Sequence, residues 1–499
     1  MPRPSRIRAP RRSAFAPALL LIALLCPAVG SGPAAARARP APALHAAAPR
    51  SRAAKPGARA KRKTLQFTIA PSLVAAPGVP VSTAPVGLSV EYPVMAAALG
   101  SGACPPPALA HELIALGSPA LQLAGASQDL TAPAGVLATP PASWEAATLY
   151  PLPSNFWSAL HCLLQSSRDP LTVGLDMRTG TLAWAQQMVG EARAAAVNGL
   201  SFSIGNEPDL YGLPNYASLD KPLPEEELAA SKLYVQLAGE LSPALGGAPL
   251  IGPELALPQR WRAQLPRVLK ATHVQAVGVH MYPLTACSTP RAVTIGGLLS
   301  SSAADAPARL RWVVADAQAE GLPALISEAN SASCGGVAGV SDSPAASVWA
   351  VRFVLSALKS GFREVRFHLS GNSYDPFLVQ GSTVLQRPLQ SALLALNRWL
   401  AVGSTVRSVH AGRGVLASAI SQPGGAVVLI LDNEGAKAQP LLLRATGALQ
   451  VQALVPTRAG VHVVSAASSH GATRLSLAPN TVLAVSAAPP PVAPPPAAR

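Results

Sequence analysis

From about residue 86 to 370, short apolar runs rich in β-branched residues alternate with longer stretches whose apolar positions recur at helical spacing. The short runs are VGLSVEY (86–92), ALQLAG (120–125), LTVGLDM (171–177), GLSFSIGN (199–206), PLIGPE (249–254), VQAVGVH (274–280), LPALISE (322–328) and EVRFHLS (364–370). Runs of this length, bounded by turn residues, read as buried strands. Between them lie amphipathic stretches such as PSNFWSALHCLLQSS, LAWAQQMVGEARAAAVN, EEELAASKLYVQLAGEL and SVWAVRFVLSALKSG. Eight strands separated by helices predict an α/β fold, a (β/α)8 TIM barrel over residues 84–380. A doubly wound parallel sheet is the rival with the same alternation.

The pattern changes after about residue 380. GAVVLILDNEG, ALQVQALVP, VHVVSAA and TRLSLAPNTVLAVSAA are short strands with turn signals and little helix. They predict a C-terminal antiparallel β-sandwich over 381–487. LQFTIAP (65–71) precedes the barrel, and its segment, 65–83, is expected to join the sandwich. A Pro-rich tail occupies 488–499, and no solenoid period is visible.

Charge alters the picture only at the N-terminus. The chain of 499 residues carries +15, but 14 of its Lys and Arg fall in residues 1–63, which hold no Asp or Glu. The remainder, 25 basic against 24 acidic residues, is close to neutral and gives no reason to bind nucleic acid. Arg3, Arg6, Arg8, Arg11 and Arg12 precede a short apolar stretch, Phe15 to Ala28, below the roughly 18 residues of a spanning helix. Residues 1–38 therefore read as a signal peptide directing export, with Ala36-Arg37-Ala38 a candidate cleavage site. The basic, Ala- and Pro-rich stretch 39–64 reads as a disordered linker, its Lys61-Arg62-Lys63 run able to touch an anionic envelope weakly. In an exported chain the four remaining cysteines, Cys104, Cys162, Cys287 and Cys334, permit two disulfides. None sits in a CxxC pair, so no metal site is expected.

In a TIM barrel the reactive groups stand at the C-terminal ends of strands. SFSIGNEP ends in Asn206 and Glu207, PALISEANS in Glu328 and Asn330, AVGVHMYP in His280 and Tyr282, and GLSVEYP in Glu91. A single such carboxylate reads as a helix cap and a single His or Tyr as a structural group. Two Glu residues after strands four and seven, however, can face each other across one barrel mouth. Facing carboxylates are the machinery of glycoside hydrolysis: one donates a proton to the glycosidic oxygen and the other attacks the anomeric carbon.

IGNEPD, followed 121 positions later by ISEANS, resembles the clan A retaining glycoside hydrolases, with an acid on strand four and a nucleophile on strand seven. The finer resemblance is to glycoside hydrolase family 79, which includes heparanase and bacterial β-glucuronidases. GVHMYP, SEANSASCGGVAGVSD, FHLSGNSYDPF and GLSVEY carry it. The resemblance implies Glu207 as acid/base, Glu328 as nucleophile, Asn206 on the sugar 2-OH and Tyr282 orienting Glu328. It further implies His280 in the site, Gly335, Gly336 and Tyr374 around a uronic carboxylate, and Glu91 on a ring hydroxyl. The second strand departs from the family: LQLAGASQD carries Gln122, Ala124 and Ala126 where a different polar pattern is usual. One expected hydroxyl contact is then either absent or supplied by Ser127 or Asp129. Cys287 and Cys334 fall in loops on one barrel face and are the first disulfide candidate; Cys104 and Cys162 are the second.

The resemblance implies a carbohydrate substrate, a terminal glucuronide or uronic-acid-containing glycan, with no cofactor. Two other readings stand beside it. One keeps the clan and changes the sugar, giving a β-xylosidase, β-glucosidase or α-L-arabinofuranosidase. The other is a non-catalytic carbohydrate-binding protein of the cell envelope.

Overall fold

The structure is a computed structural model that describes residues 63–136, 149–178, 181–211, 224–287, 289–412, 414–445, 448–464, 468–469 and 471–487. The segment read as a signal peptide, all but the end of the stretch read as a basic linker, and the Pro-rich tail fall outside these residues.

The eight predicted strands form one closed parallel barrel. They are β1 (Val86–Glu91), β2 (Leu121–Ala124), β3 (Leu171–Leu175), β4 (Leu200–Ile204), β5 (Leu250–Leu255), β6 (Ala276–Met281), β7 (Ala324–Ala329) and β8 (Phe362–Leu369). Each pairs in parallel with its neighbours in chain order, and β8 closes on β1 through Val365–Val86 to Leu369–Val90. Alternation along the strands decides what faces where. On β8, Val365, Phe367 and Leu369 belong to the apolar cluster shared with the surrounding helices. The alternate residues Glu364, Arg366 and His368 turn to the barrel interior, where Arg366 reaches past β1 to Gln122 on β2 and Thr172 on β3. Gly87 on β1 makes that reach possible: a Cβ there would lie 2.6 Å from Glu364 Oε1 and 3.0 Å from Arg366 Cγ.

The helices bury one face each. Pro344–Lys359, with Pro at its start, is almost wholly buried because it packs on β8 and also meets the sheet domain. The helix Pro388–Trp399 lies beyond residue 380, where the sequence pattern places the start of the sandwich. It buries Leu389, Ala392, Leu393 and Leu396 against the barrel layer and so completes the last β/α unit.

The sheet domain has two layers. A seven-stranded sheet runs Val79–Pro80, Thr405–Val409, Val415–Ser421, Val427–Asn433, Thr481–Ala487, Leu449–Val455, Arg458–Val463. Facing it, Leu65–Ile69 pairs with Gln439–Ala445, followed by Ala472–Leu477 and Ser468–Ser469. The N-terminal strand joins this layer as the pattern predicts, but in parallel rather than antiparallel pairing. Phe67, Ile69, Leu429, Leu431, Leu441, Leu443, Val451 and Val485 form the core between the layers.

Candidate active site

The C-terminal end of the barrel gathers four glutamates and two histidines. Glu207 follows β4 in a left-handed conformation, φ 51° and ψ 53°, sparsely populated for a residue with a Cβ. The surrounding loop holds it there. Asp129, after β2, accepts from the backbone N–H of Asn206 at 3.1 Å, from that of Met177 at 3.2 Å, and from the Tyr211 hydroxyl. On the other flank Asp209 accepts from the N–H groups of Ala256 at 3.0 Å and Leu257 at 2.6 Å, tying the loop to the end of β5. Burial pushes the Asp209 carboxyl up to about 7, and the two N–H donors offset only part of that.

Glu328 is the fifth residue of β7, and its side chain is 6 % exposed. Tyr282, one residue beyond β6, donates its hydroxyl to Glu328 Oε1 at 2.7 Å. His280, on β6 with its side chain 1 % exposed, stands between the carboxylates. Its Nδ1 is 3.0 Å from Glu207 Oε1 and 3.7 Å from Glu328 Oε1, and its Nε2 is 3.2 Å from Glu254 Oε2. One ligand-type atom from each of Glu207, His280 and Glu328 lies within 4.8 Å of the others. Burial disfavours an imidazolium at His280, but Glu328, Glu207 and Glu254 together raise its pKa well above the ordinary value.

His368, on β8, meets Glu328 from the other side. Its Nδ1 is 2.7 Å from Glu328 Oε2, a charge contact whose N–H is turned off the line between the atoms. Burial would raise the Glu328 carboxyl, but the cations at His368 and His280, with the Tyr282 hydroxyl, hold it well below the usual carboxylate range.

The structure places the remaining predicted residues as follows. The Asn206 side-chain oxygen, beside Glu207, is buried and has no hydrogen-bond partner in the protein. Glu91 does not point at open space. Its carboxylate accepts from the N–H groups of Ala126 at 3.0 Å and Ser127 at 2.8 Å, and from the Ser127 hydroxyl. His280 is likewise engaged by the protein, its ring nitrogens turned to Glu207, Glu328 and Glu254. Ser127 and Asp129, the alternatives after the second strand, both hold neighbouring backbone. Tyr374 is buried, accepts from Ser370 Oγ at 2.9 Å, and its ring centroid is 6.1 Å from that of Tyr282. Gly335 and Gly336 both adopt positive φ, 82° and 74°; Gly335 packs against Asn372, and Gly336 against Ser341 and then Tyr374. The Gly336 N–H donates within its own turn to Ser333 at 3.4 Å.

Both disulfides are formed. Cys287–Cys334 links the loops after β6 and β7, and Cys104–Cys162 staples the helix Phe156–Ser167 to the loop after the helix Tyr92–Leu99. Two site residues escape sequence reasoning, Glu254 and His368. Both stand at the polar ends of recognisable strands, PLIGPE and EVRFHLS, and that position is the one signal that marks them.

The chain is therefore a (β/α)8 barrel with an attached antiparallel sheet domain and a carboxylate-lined mouth. Solved structures share that fold. A 4-O-α-L-rhamnosyl-β-D-glucuronidase from Fusarium oxysporum 12S, solved with Rha-GlcA, is similar over 85% of this chain and 100% of its own, with a TM-score of 0.64 and 19% identity. A family 51 α-L-arabinofuranosidase from Bifidobacterium longum is similar over 86% and 100%, with a TM-score of 0.62 and 11% identity. A GH30 xylanase C catalytic domain from Talaromyces cellulolyticus is similar over 85% and 100%, with a TM-score of 0.53 and 12% identity. These neighbours are glycoside hydrolases, and at such identities the likeness establishes the shared fold. No protein-family model matches the sequence, and no curated protein matches it.

Proposed function

We propose that this chain is an exported retaining glycoside hydrolase of the family 79 type, a β-glucuronidase acting on terminal glucuronic acid. The observation that carries the reading is the pair Glu207 and Glu328, on β4 and β7, with oxygens within 4.8 Å across one imidazole. Carboxylates about 5–5.5 Å apart serve retention, while inversion needs about 6.5–9.5 Å to admit a water. The close approach of one oxygen from each residue, within 4.8 Å, is what speaks for double displacement.

In the first step the Glu207 carboxyl gives its proton to the glycosidic oxygen as Glu328 attacks C1, and the leaving alcohol takes the bonding pair. Tyr282 fixes the attacking carboxylate by its hydrogen bond. In the second step Glu207, now a carboxylate, takes a proton from water, whose oxygen displaces Glu328 from C1. By the resemblance to family 79, Asn206, next to Glu207, meets the sugar 2-OH. The choice of a uronic acid rests on the resemblance of the Cys334-Gly335-Gly336 loop and the Tyr374 segment to family 79, and on the glucuronidase among the fold neighbours. The basic N-terminus, with its short apolar stretch, supports export.

The test is hydrolysis of 4-nitrophenyl β-D-glucuronide, with the anomeric configuration of the first product followed by NMR. Release of the β-anomer is expected. Turnover of an aryl xyloside, glucoside or arabinofuranoside instead would keep the mechanism and change the sugar. Turnover of none of them would sink the catalytic reading.

A further inference from the structure

The double displacement above uses Glu207, Glu328 and Tyr282, and leaves His368 without a task. His368 is 3 % exposed and sits between two carboxylates from different strands. Its Nδ1 is 2.7 Å from Glu328 Oε2, and its Nε2 is 3.4 Å from Glu91 Oε1. Glu91 is itself pinned by two backbone N–H groups and the Ser127 hydroxyl. The loop that pins it turns at Gly125, φ 79°, where a Cβ would lie 2.5 Å from the Glu91 carboxyl carbon and 2.8 Å from His368 Cε1. The Glu91–His368 pair thus occupies space that a glycine leaves open, and it is wedged against the nucleophile.

We propose that His368, braced by Glu91, is a positioning residue that keeps Glu328 ionised and stabilises it as the leaving group of the second step. The proposal rests on the glycosidase reading. When water attacks C1, the bond from C1 to the Glu328 oxygen breaks and its electron pair returns to the carboxylate. That charge spreads to Oε2, which faces the His368 ring nitrogen. His280 cannot replace it: it approaches Oε1 only to 3.7 Å and is already shared with Glu207 and Glu254.

All the groups around the pair are consistent with this role. Glu328 faces Tyr282 and His280 from β6 and its following residue, His368 and Tyr374 from β8 and its loop, and Glu207 across the mouth. His368 faces Glu91, Glu328, Tyr374 and Asp375. Burial works against a charged His368, and the attraction of Glu328 outweighs it, so the imidazole pKa stands well above its ordinary value.

The test compares His368→Gln and Glu91→Gln with the wild-type protein by two readouts. The first is direct titration of Glu328 by NMR with δ-13C-labelled glutamate, its resonance assigned by its loss in Glu328→Gln. An opposite charge within ~4–6 Å lowers a carboxyl pKa by about 1–3 units. His368→Gln should therefore raise the Glu328 midpoint by about one pH unit or more, and Glu91→Gln should raise it by less. Should His368→Gln fail to fold, Glu91→Gln carries the titration. The second readout is steady-state kinetics on an aryl glycoside. A poorer leaving group lets the glycosyl ester accumulate, so kcat and KM fall together, by about tenfold, while kcat/KM holds. A merely structural loss would instead lower kcat/KM and leave the midpoint in place.

A Glu328 midpoint unmoved in both variants overturns the proposal whatever the activity. A fall in kcat/KM with KM unchanged or raised overturns the leaving-group role. Because the titration needs no substrate, a wild-type protein inactive on every glycoside but showing the shift would sink the glycosidase reading and leave the charge assignment standing.

Discussion

Glu207 and Glu328 have different surroundings, and that difference separates their roles. Glu328 is gripped by Tyr282 and flanked by two imidazoles, an environment for a carboxylate that must stay charged. Glu207 touches His280 on one side and has its side chain 16 % exposed, open to a ligand. Alanine at either position should cut turnover of a substrate with a poor leaving group by roughly 10³-fold or more. Added azide would then separate the roles on an activated aryl glycoside. Glu207→Ala should yield the β-glycosyl azide, because azide attacks the ester formed on Glu328. Glu328→Ala should yield the α-azide, because azide takes the place of the missing nucleophile. The opposite anomers would reverse the assignment. At this scale the sequence reveals the residues that stand where a strand ends in an acid, Glu207 and Glu328. It hides Glu254 and His368, whose importance comes from partners on other strands. Nor does strand-end position reveal the protein partners of Glu91 and His280, the N–H groups of Ala126 and Ser127 for one and three carboxylates for the other.

The strands and loops set these positions, and two features of them can be tested. The Cys287–Cys334 bond closes a loop with a sequence separation of 47 and ties the loop after β6 to the one bearing Gly335 and Gly336. Loop-closure entropy puts such a bond at about 4 kcal/mol. Replacing both cysteines by serine should lower Tm by several degrees and raise KM more than it lowers kcat. A KM equal to that of the wild type would show that the rim needs no brace. The second test lies at the opposite end of the barrel. Asp169 sits between the helix Phe156–Ser167 and β3, and burial pushes its carboxyl from 3.8 up to about 6, with the Ser167 side chain offsetting only part. A carboxyl whose folded pKa is raised stabilises the fold fully below about 4 and loses that contribution as pH rises through about 6. At about 1.4 kcal/mol per unit the loss is roughly 3 kcal/mol above pH 6. Asp169→Asn removes the ionisation. Its Tm should therefore exceed that of the wild type by a few degrees at pH 7.5, and the gap should close by pH 4. A gap constant with pH would refute the burial argument. Alternating short runs with helical stretches made the barrel elements readable. The helix Pro388–Trp399 was harder to place, because the β-rich segments that follow it dominate the pattern around residue 380.

At the scale of the whole molecule, the chain returns on itself. Leu65–Ile69 enters before the first barrel strand and pairs with Gln439–Ala445, close to the other end of the described chain. The run LQFTIAP announces a strand, and its alternation announces one buried face, but parallel pairing is invisible locally because it depends on which edge the distant sheet leaves open. Phe67 and Ile69, 7% and 2% exposed, enter the core between the two layers and cover Leu441 and Leu443. Burying each such side chain is worth about 1.5–3 kcal/mol, so the strand contributes roughly 3–6 kcal/mol before its backbone hydrogen bonds. Without it, the ladder of Gln439–Ala445 becomes an open edge, prone to pairing with another chain. The sheet domain in turn meets the helix Pro344–Lys359, where Arg352 donates to Asp432 at 2.7 Å. That helix packs on β8, the strand that carries His368. A chain beginning at Lys63 should melt with the full-length protein, whereas one beginning at Pro71 should melt many degrees lower and aggregate. Coincident melting of the two would show that the strand is an ornament of the sheet rather than part of its core.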